Sequence, residues 1–586
     1  MARQVKLWLV FASLLLRALA VCCITLLAAV ASLAYHPGRV SQPAAAQTPG
    51  TLSWRACGGG LECTELQVPL DYASPGVRSI SIALIRLRAS DPANRIGSLL
   101  VNPGGPGGSG IGFVRSWASF LPREITSRFD IVGFDPRGVG ASTPLLCHDR
   151  LQALAGLDPT PDSDQEWRAG LDELRAFADL CARRGGDLLP HLGTANVVRD
   201  LEQMRIALGD AKLTYAGFSY GTVIGALYAE MFPDKVRAIL LDGPMDPSLP
   251  ADELAVQQSR GFDGAMEHFL ADCRRRQCLP GVPGDPAPAV DDLLRRAEAA
   301  PIPALRADRA AGPGEVLLGL FAALYTPRLW PDMESAISRG LAGDATELVR
   351  LVDSYLNRQS NGSYENATEM YSAVACLDAG FPRNIEYFQR LLERAKAEAP
   401  RFGAMNVYTW LPCAFWAAPP QPLPRIDAQG SPPILVLGTT GDPATPYAWA
   451  VSMSRQLASA VLLTYRGEGH TAYLNNDRCI NDAVHRYVID LVLPPVGTAC
   501  GAGPAEPLVV ANPPTPTPQP APTAAPPQAQ AQNPTPQSPG AAPSATGAAS
   551  DDDSQSPALI AGGVVLVALA AGGVAYLLVK RRQSGT

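Results

Sequence analysis

The chain has 586 residues, 47% of them hydrophobic and 18% charged, so most of it can bury an apolar core and global disorder is excluded. Its 48 basic and 55 acidic residues give a net charge of −7, with no long run of Lys or Arg. A nucleic-acid partner is excluded as well, because it requires a concentrated basic face.

Residues 1–50 are predicted to form a secretory signal, or a signal anchor, followed by a short linker. Arg3 and Lys6 precede a largely apolar run from Leu7 to Tyr35, which is the order of a secretory signal. The run is long for a cleaved signal, so an uncleaved anchor with a second membrane pass stays open.

Cysteine usage agrees with an exported chain. Beyond the signal region ten cysteines remain, an even number that favours disulfides. The sequence does not fix their connectivity, and we expect each to pair with its neighbour: Cys57 with Cys63, Cys147 with Cys181, Cys273 with Cys278, Cys376 with Cys413, and Cys479 with Cys500. No Cys-x-x-Cys pair occurs and the histidines are scattered, so we expect neither a metal site nor a cofactor.

The body of the chain alternates β-rich runs with helical patterns. This alternation predicts an α/β fold with a mainly parallel, eight-stranded sheet. The predicted strands are Leu66–Leu70, Ile80–Leu87, Ser98–Val101, Ile131–Phe134, Leu213–Ala216, Ala238–Leu241, Ile434–Leu437 and Val461–Tyr465. Ligands of such sheets bind beyond the carboxyl ends of the strands, so the loops there are the places to look for chemistry.

A glycine-rich loop, Asn102–Gly110, follows the third predicted strand. Its glycines expose backbone N–H donors, which suits either a phosphate or an oxyanion. The G-x-x-x-x-G-K-[ST] pattern of a phosphate loop is missing, so we predict that Gly104 or Gly105 donates to an oxyanion.

The segment Gly217-Phe218-Ser219-Tyr220-Gly221 lies between a predicted strand and a predicted helix. A G-x-S-x-G motif in this setting indicates a nucleophilic serine on a tight turn, with Ser219 as the nucleophile. The glycines allow strand and helix to approach closely. The backbone N–H of Tyr220 is the second predicted oxyanion donor.

A gap of roughly 190 residues separates the sixth and seventh predicted strands, whereas a compact crossover needs a few dozen. Helical patterns fill this gap, so we predict an inserted helical cap at 247–412. The six predicted cap helices lie near Glu253–Ala271, Ala289–Ala299, Gly314–Ala323, Met333–Gly340, Ala345–Leu356 and Ile385–Ala395. The cap divides the catalytic domain into a first part at 51–246 and a second part at 413–501.

A serine nucleophile needs a base, and only His470 and His485 follow the seventh predicted strand. His470 lies in a glycine-containing loop that could reach Ser219, whereas His485 lies in a regular helical pattern. We therefore predict His470 as the base.

The acid of a Ser–Asp–His triad orients the imidazole and stabilises its charged form. Asp442 follows an apolar strand and precedes the histidine, so we predict that it is the acid. Asp242, after the sixth strand, is the rival, and Asp477 and Asp482 are further candidates that follow the histidine.

The end of the chain is predicted to tether the domain to the cell membrane. Residues 502–556 are rich in Pro and Ala without an aromatic residue, which predicts a disordered stalk. Residues 557–579 form an uncharged apolar stretch long enough to span a bilayer as one transmembrane helix. The basic tail, 580–586, then lies in the cytoplasm and the catalytic domain outside.

These motifs together resemble the prolyl and tripeptidyl aminopeptidase family of serine peptidases, which have the α/β-hydrolase fold. The segments that carry the resemblance are Asn102–Gly110, Phe134–Gly140, Asp200–Gly209, Tyr215–Gly221, Gly441–Pro446 and Gly467–His470. The part after the cap resembles the C-terminal domain of the tripeptidyl branch. The resemblance implies the same triad and oxyanion donors, and the removal of short pieces from free amino ends.

An exopeptidase of this kind needs a carboxylate for the substrate ammonium. Glu369 and Asp378, which flank the segment Ala373-Val374-Ala375-Cys376 in the predicted cap, are the candidates, and a purely structural role for them is equally open. Trp410 and Trp416 could form the wall of a pocket for an apolar or proline side chain, or pack in the core.

The leading hypothesis is an exported, membrane-tethered serine aminopeptidase that releases di- or tripeptides from peptides with free N-termini. A carboxylesterase or lipase could use the same triad, because the scaffold does not choose between ester and amide. A non-catalytic adhesion module on the same scaffold would tolerate a broken triad, and the triad here is complete in sequence.

Overall fold

The structure is a computed structural model, and it describes residues 52–503. The predicted signal at 1–50, the stalk from residue 504 onward, the transmembrane helix at 557–579 and the basic tail lie outside the described residues. Within 52–503, every helix is too short or too polar to cross a bilayer.

A ten-stranded sheet forms the centre of the molecule. The strands are β1 (Arg55–Ala56), β2 (Leu61–Pro69), β3 (Ser79–Leu87), β4 (Gly97–Asn102), β5 (Phe129–Phe134), β6 (Leu213–Phe218), β7 (Val236–Asp242), β8 (Ile434–Gly441), β9 (Ala460–Glu468) and β10 (Ala499–Cys500). Their order is β1-β2-β3-β5-β4-β6-β7-β8-β9-β10. The strands β4 to β10 are parallel to their neighbours among themselves, and β1, β2 and β3 are antiparallel.

The mainly parallel sheet is confirmed, and each of the eight predicted strands coincides with a strand of the structure. The predicted number of strands was wrong by two, because β1 and β10 also belong to the sheet. Each of these edge strands has two residues, too few to produce an alternating pattern in the sequence.

The central strands are buried on both faces, which explains their continuous apolar runs. In β4, Leu100 belongs to one apolar cluster, whereas Leu99 and Val101 belong to the cluster on the opposite face. This alternation follows from the two-residue period of a strand. The sheet is therefore the middle layer of a three-layer arrangement. Because both of its faces are covered, a functional site is expected at the carboxyl ends of the strands.

Helices cover both faces of the sheet. Outside the interval between β7 and β8 they are α1 (Gly110–Trp117), α2 (Arg123–Thr126), α3 (Leu151–Ala155), α4 (Asp164–Gly185), α5 (Thr194–Ala207), α6 (Gly221–Met231), α15 (Tyr447–Gln456) and α16 (Arg478–Asp490). Helix α6 starts directly after β6, as the nucleophile motif predicts.

The long interval between β7 and β8 is helical. It contains α7 (Ala251–Arg276), α8 (Ala287–Ala299), α9 (Pro313–Leu324), α10 (Trp330–Leu341), α11 (Thr346–Tyr355), α12 (Ala367–Asp378), α13 (Ile385–Glu398) and α14 (Gly403–Trp410). The helical patterns in the sequence indicated six of these, but not α12 and α14. Both are mostly buried and therefore lack a clear polar face.

The inserted helices divide into two groups by their packing. Residues of α7 to α11, such as Phe262 and Leu320, form an apolar cluster of their own. Residues of α12 and α13, such as Met370 and Leu391, pack instead into the main core on one face of the sheet. Helix α12 is thus part of the insertion in sequence and part of the main domain in packing.

Five disulfides close the fold, and all five predicted pairings are present. They join Cys57 to Cys63, Cys147 to Cys181, Cys273 to Cys278, Cys376 to Cys413, and Cys479 to Cys500. Each links residues that are near in sequence, so each staples one local segment rather than distant parts of the chain.

Candidate active site

Ser219 lies on the turn between β6 and α6, in a left-handed backbone conformation with φ = 54°. Residues other than glycine rarely adopt this backbone conformation, and such strain is common at functional sites. The turn is held because Ser219 N–H donates to the Asp242 carbonyl at 3.0 Å and Thr222 N–H donates to the Ser219 carbonyl at 3.0 Å. Ser219 is half-buried and lines a cavity below the inserted helices.

His470 and Asp442 lie in the loops after β9 and β8 and form a close pair. The Nδ1 atom of His470 is 2.9 Å from both carboxylate oxygens of Asp442. The carboxylate also accepts the backbone N–H groups of Ala444 and Thr445, at 2.9 and 2.8 Å, so its orientation is fixed. With the carboxylate bonded to Nδ1–H, Nε2 is left to accept a proton.

Asp242, the rival acid, has a different role in the structure. Its carboxylate accepts the N–H groups of Ala472 and Tyr473, at 2.8 to 3.1 Å, and no hydrogen bond joins it to His470 among the described residues. Burial raises its pKa to about 7. Asp242 therefore holds the loop that follows His470.

The other predicted alternatives lie away from the cavity. His485 Nε2 contacts the Tyr473 hydroxyl at 3.1 Å, Asp477 caps the N-terminus of α16, and Asp482 pairs with Arg478 on the surface. None of these alternatives lines the cavity that Ser219 and His470 share within the described residues.

The electrostatic setting of His470 suits a base. Burial lowers its pKa, but the adjacent Asp442 carboxylate outweighs this, and the net pKa is raised. Its backbone N–H donates to the Tyr325 carbonyl at 2.8 Å, and its ring packs edge-on against Tyr325. Within residues 52–503, Nε2 has no hydrogen-bond partner, Ser219 Oγ included. Contacts of this kind are often long without substrate and tighten in the complex.

The glycine-rich loop packs directly against the nucleophile turn. A Cβ atom at Gly104 would lie 2.4 Å from the Phe218 carbonyl oxygen and 2.7 Å from Tyr220 N, so no side chain fits there. The Gly104 N–H already donates to the Asn102 side chain at 2.9 Å. No protein acceptor within 52–503 is bonded to the N–H groups of Gly105 and Tyr220. Of the two glycines that the sequence left open, Gly105 is therefore the one with a free donor.

The cavity has a volume of about 310 Å³ and apolar walls. Its walls include Phe321, Tyr325, Tyr355, Met405 and Trp410. Among the described residues, no Asp, Glu, Lys or Arg side chain lines it. An uncompensated charge is costly to bury, so the cavity suits an uncharged, apolar group.

The predicted ammonium acceptors do not reach this cavity, which corrects that expectation. Glu369 is buried in the first turn of α12, near the Cys147 backbone, and burial raises its pKa to about 7. Asp378, at the end of α12, accepts the Tyr220 hydroxyl at 2.7 Å and the Thr194 N–H at 3.0 Å. Among the described residues, neither carboxylate lines the cavity.

The two tryptophans predicted to line the pocket lie in different places. Trp410 lines the cavity, where its ring packs against Tyr371 with centroids 5.6 Å apart. Trp416 is buried in the core against Phe177 and does not line the cavity, so its predicted role in substrate binding is not supported.

Several wall residues were not found from the sequence. Tyr325 and Tyr355 come from the cap, whereas Leu174 and Phe177 come from α4, between β5 and β6. In the sequence they are ordinary apolar positions of amphipathic helices. No local signal separates a cavity wall from a core residue, because the difference depends on the neighbour across the gap.

Comparison with known proteins agrees with this arrangement. Residues 97–314 match the family described as alpha/beta hydrolase fold, and residues 399–500 match the family described as TAP-like protein. The chain is 38% identical to the serine protease Hip1 of Mycobacterium tuberculosis, over 75% of this chain and 88% of that protein.

Two further relatives have different names. The tripeptidyl aminopeptidase of Streptomyces coelicolor is 34% identical over 75% of this chain and 84% of its own. The carboxylesterase B of Mycobacterium tuberculosis is 35% identical over 79% of this chain and 94% of that protein. The extent of these matches and the α/β-hydrolase architecture show that the chain belongs to the prolyl and tripeptidyl aminopeptidase family of serine hydrolases.

Proposed function

We propose that this serine hydrolase is a peptidase that forms an acyl-enzyme on Ser219. Ser219 Oγ attacks the scissile carbonyl while its proton passes to His470 Nε2, and Asp442 stabilises the resulting imidazolium. The N–H groups of Gly105 and Tyr220 bind the oxyanion. The imidazolium then protonates the leaving amine, and water, activated by the same base, hydrolyses the ester.

The observation that carries this proposal is the His470–Asp442 pair, with two 2.9 Å contacts to Nδ1, beside a cavity that Ser219 also lines. The strained backbone at Ser219 and the free N–H groups of Gly105 and Tyr220 support the same roles. The serine protease and tripeptidyl aminopeptidase relatives support a peptide as the substrate.

The finer part of the proposal is the release of di- or tripeptides from free amino ends, by an exported enzyme tethered to the membrane. It is supported by the tripeptidyl aminopeptidase relative and by five disulfides, which are typical of exported proteins. The uncharged cavity wall favours apolar side chains in the acyl part of the substrate, and within residues 52–503 no carboxylate lines it for the ammonium.

A substrate panel tests the proposal. Tripeptide amides with a free or an acetylated amino end are compared with p-nitrophenyl esters, using Ser219→Ala as the control. We expect turnover of the free tripeptide amides, and its loss in the variant by about 10⁵-fold or more. Equal turnover of the acetylated peptides would remove the exopeptidase part, and turnover that survives in the variant would remove the role of Ser219.

A carboxylesterase is the second candidate. The cavity without charged side chains favours it, because an apolar acyl chain needs no ammonium acceptor, and the carboxylesterase B relative is in keeping with it. In the same panel, turnover confined to the esters would establish this alternative over the peptidase.

A further inference from the structure

Helix α12 contacts both sides of the proposed oxyanion hole. Near its N-terminus, the Ala367 carbonyl and Met370 pack against Gly107 of the glycine-rich loop. A Cβ atom at Gly107 would lie 2.5 Å from the Ala367 oxygen and 2.9 Å from Met370 Cβ. This loop carries Gly105, the first proposed donor. The contact is therefore close enough for α12 to fix the position of the loop relative to the nucleophile turn.

At its other end, α12 is bonded to the second proposed donor. The Tyr220 hydroxyl donates to Asp378 Oδ2 at 2.7 Å, and the Thr194 hydroxyl is 2.9 Å from the Tyr220 oxygen. Because Tyr220 gives its only proton to Asp378, Thr194 must donate to Tyr220. All three side chains are buried, so the network is shielded from water.

Asp378 is itself held firmly. Its carboxylate accepts the Thr194 N–H at 3.0 and 3.3 Å, which places it at the N-terminus of α5, where a negative charge is stabilised. Two residues earlier, Cys376 is joined to Cys413 by a disulfide. The C-terminal end of α12 therefore has several fixed points, and the Tyr220 side chain is bonded to one of them.

We propose that Asp378 is a positioning residue for the oxyanion hole, acting through the Tyr220 side chain on the Tyr220 N–H. The Tyr220 backbone belongs to the nucleophile turn, so a side chain anchored at its hydroxyl restrains the direction of the N–H. This inference rests on the proposed function, in which Tyr220 N–H binds the oxyanion. It replaces the contact with a substrate ammonium that the sequence suggested for Asp378.

The test compares Tyr220→Phe with Tyr228→Phe. Tyr228 is the matched control, because it is also buried and also donates to a buried carboxylate, Glu202, at 2.7 Å, away from the cavity. We expect Tyr220→Phe to lower kcat about 10-fold with KM within about 2-fold, since the oxyanion exists only in the transition state and a donor is displaced rather than removed. Tyr228→Phe should lower Tm without changing kcat.

Variants of Asp378 complete the test. Asp378→Ala should lower kcat as much as Tyr220→Phe, and the double variant should lose no more, because both changes break one connection. Asp378→Asn keeps an acceptor oxygen for Tyr220 and should retain most of the activity. If Asp378→Ala does not fold, the two tyrosine variants and Asp378→Asn still decide the matter.

The proposal is overturned if Tyr220→Phe keeps the wild-type kcat, or if Tyr228→Phe loses kcat to the same extent. It is also overturned if Asp378→Asn is as impaired as Tyr220→Phe. Ser219→Ala is measured in parallel. A loss of about 10⁵-fold in Ser219→Ala, together with a wild-type kcat for Tyr220→Phe, rejects only the positioning role, whereas a Ser219→Ala variant that keeps most of the wild-type kcat rejects the proposed function itself.

Discussion

The loops at the strand ends and the inserted helices contribute to the same cavity in different ways. In the loops, Ser219 and Asp442 are held by hydrogen bonds with backbone groups, and the segment after His470 donates its backbone N–H groups to the Asp242 carboxylate. The helices α7 to α11 contribute apolar walls, such as Phe321 and Tyr355, that belong to a separate cluster or pack against it.

This difference indicates that the loops determine the rate of the reaction and that the apolar walls determine which substrates bind. A backbone-anchored loop keeps the reacting groups in one geometry, so changes there should act on kcat. An apolar wall contacts substrate in the ground state and the transition state alike, so changes there should act on KM. Helix α12 is the exception, because it comes with the insertion but packs into the main core, and it contacts both Gly107 in the loop that carries Gly105 and the Tyr220 side chain.

The strongest test of the loop side is Asp442→Asn. The change keeps the shape of the side chain but removes the charge that stabilises the His470 imidazolium, so we expect kcat to fall about 10⁴-fold with little change in Tm. The measurement is steady-state kinetics with thermal unfolding on the same sample. A loss of less than about tenfold in a folded variant would mean that Asp442 is not the acid.

The next test is Gly104→Ala, at the contact between the glycine-rich loop and the nucleophile turn. The new methyl group would collide with the Phe218 carbonyl and with Tyr220 N, so we expect kcat to fall about 100-fold, similar to the loss of one oxyanion donor. Gly209→Ala is the control, because Gly209 also has a positive φ but has open space at its Cβ position. Equal kinetic losses in the two variants would trace the effect to backbone strain alone.

The pH dependence of kcat/KM gives the third test. His470 must be neutral to accept the Ser219 proton, and its pKa is raised by Asp442. The rate should therefore fall about 10-fold per pH unit on the acid side, with the midpoint above the ordinary imidazole value of about 6.5. In Asp442→Asn the midpoint should move to lower pH. A wild-type midpoint below about 6.5 would contradict the raised pKa.

The smallest expected effect tests the helices. Leu318 lines the cavity from α9, and Leu318→Ala should raise KM for apolar substrates about 10-fold while kcat changes little. Leu305→Ala, at a residue that is 74% exposed on the same insertion, is the control for general effects on stability. A change in kcat without a change in KM would show that this wall also contributes to the chemistry.

The parts of the fold that the sequence predicted are those with short-range signals. Buried parallel strands gave continuous apolar runs, and Ser219 was marked by glycines between a strand and a helix. Glu369 and Trp416 had no comparable signal. Whether a polar or aromatic residue faces a cavity, a helix or the core depends on residues far away in the chain, as the proximity of Glu369 to Cys147 illustrates.

The sequence by itself determined the order of the strands along the chain and the three candidate catalytic residues, whereas the disulfide pairing was an expectation that the structure then confirmed. Only the tertiary structure decided that Asp242 holds the loop after His470, that Gly105 rather than Gly104 has a free N–H, and that Asp378 is bonded to Tyr220. The physical reason is the distance along the chain between the residues that interact. Turns and strands are specified by neighbouring residues, whereas the partner of a buried carboxylate or amide is set by packing between distant segments.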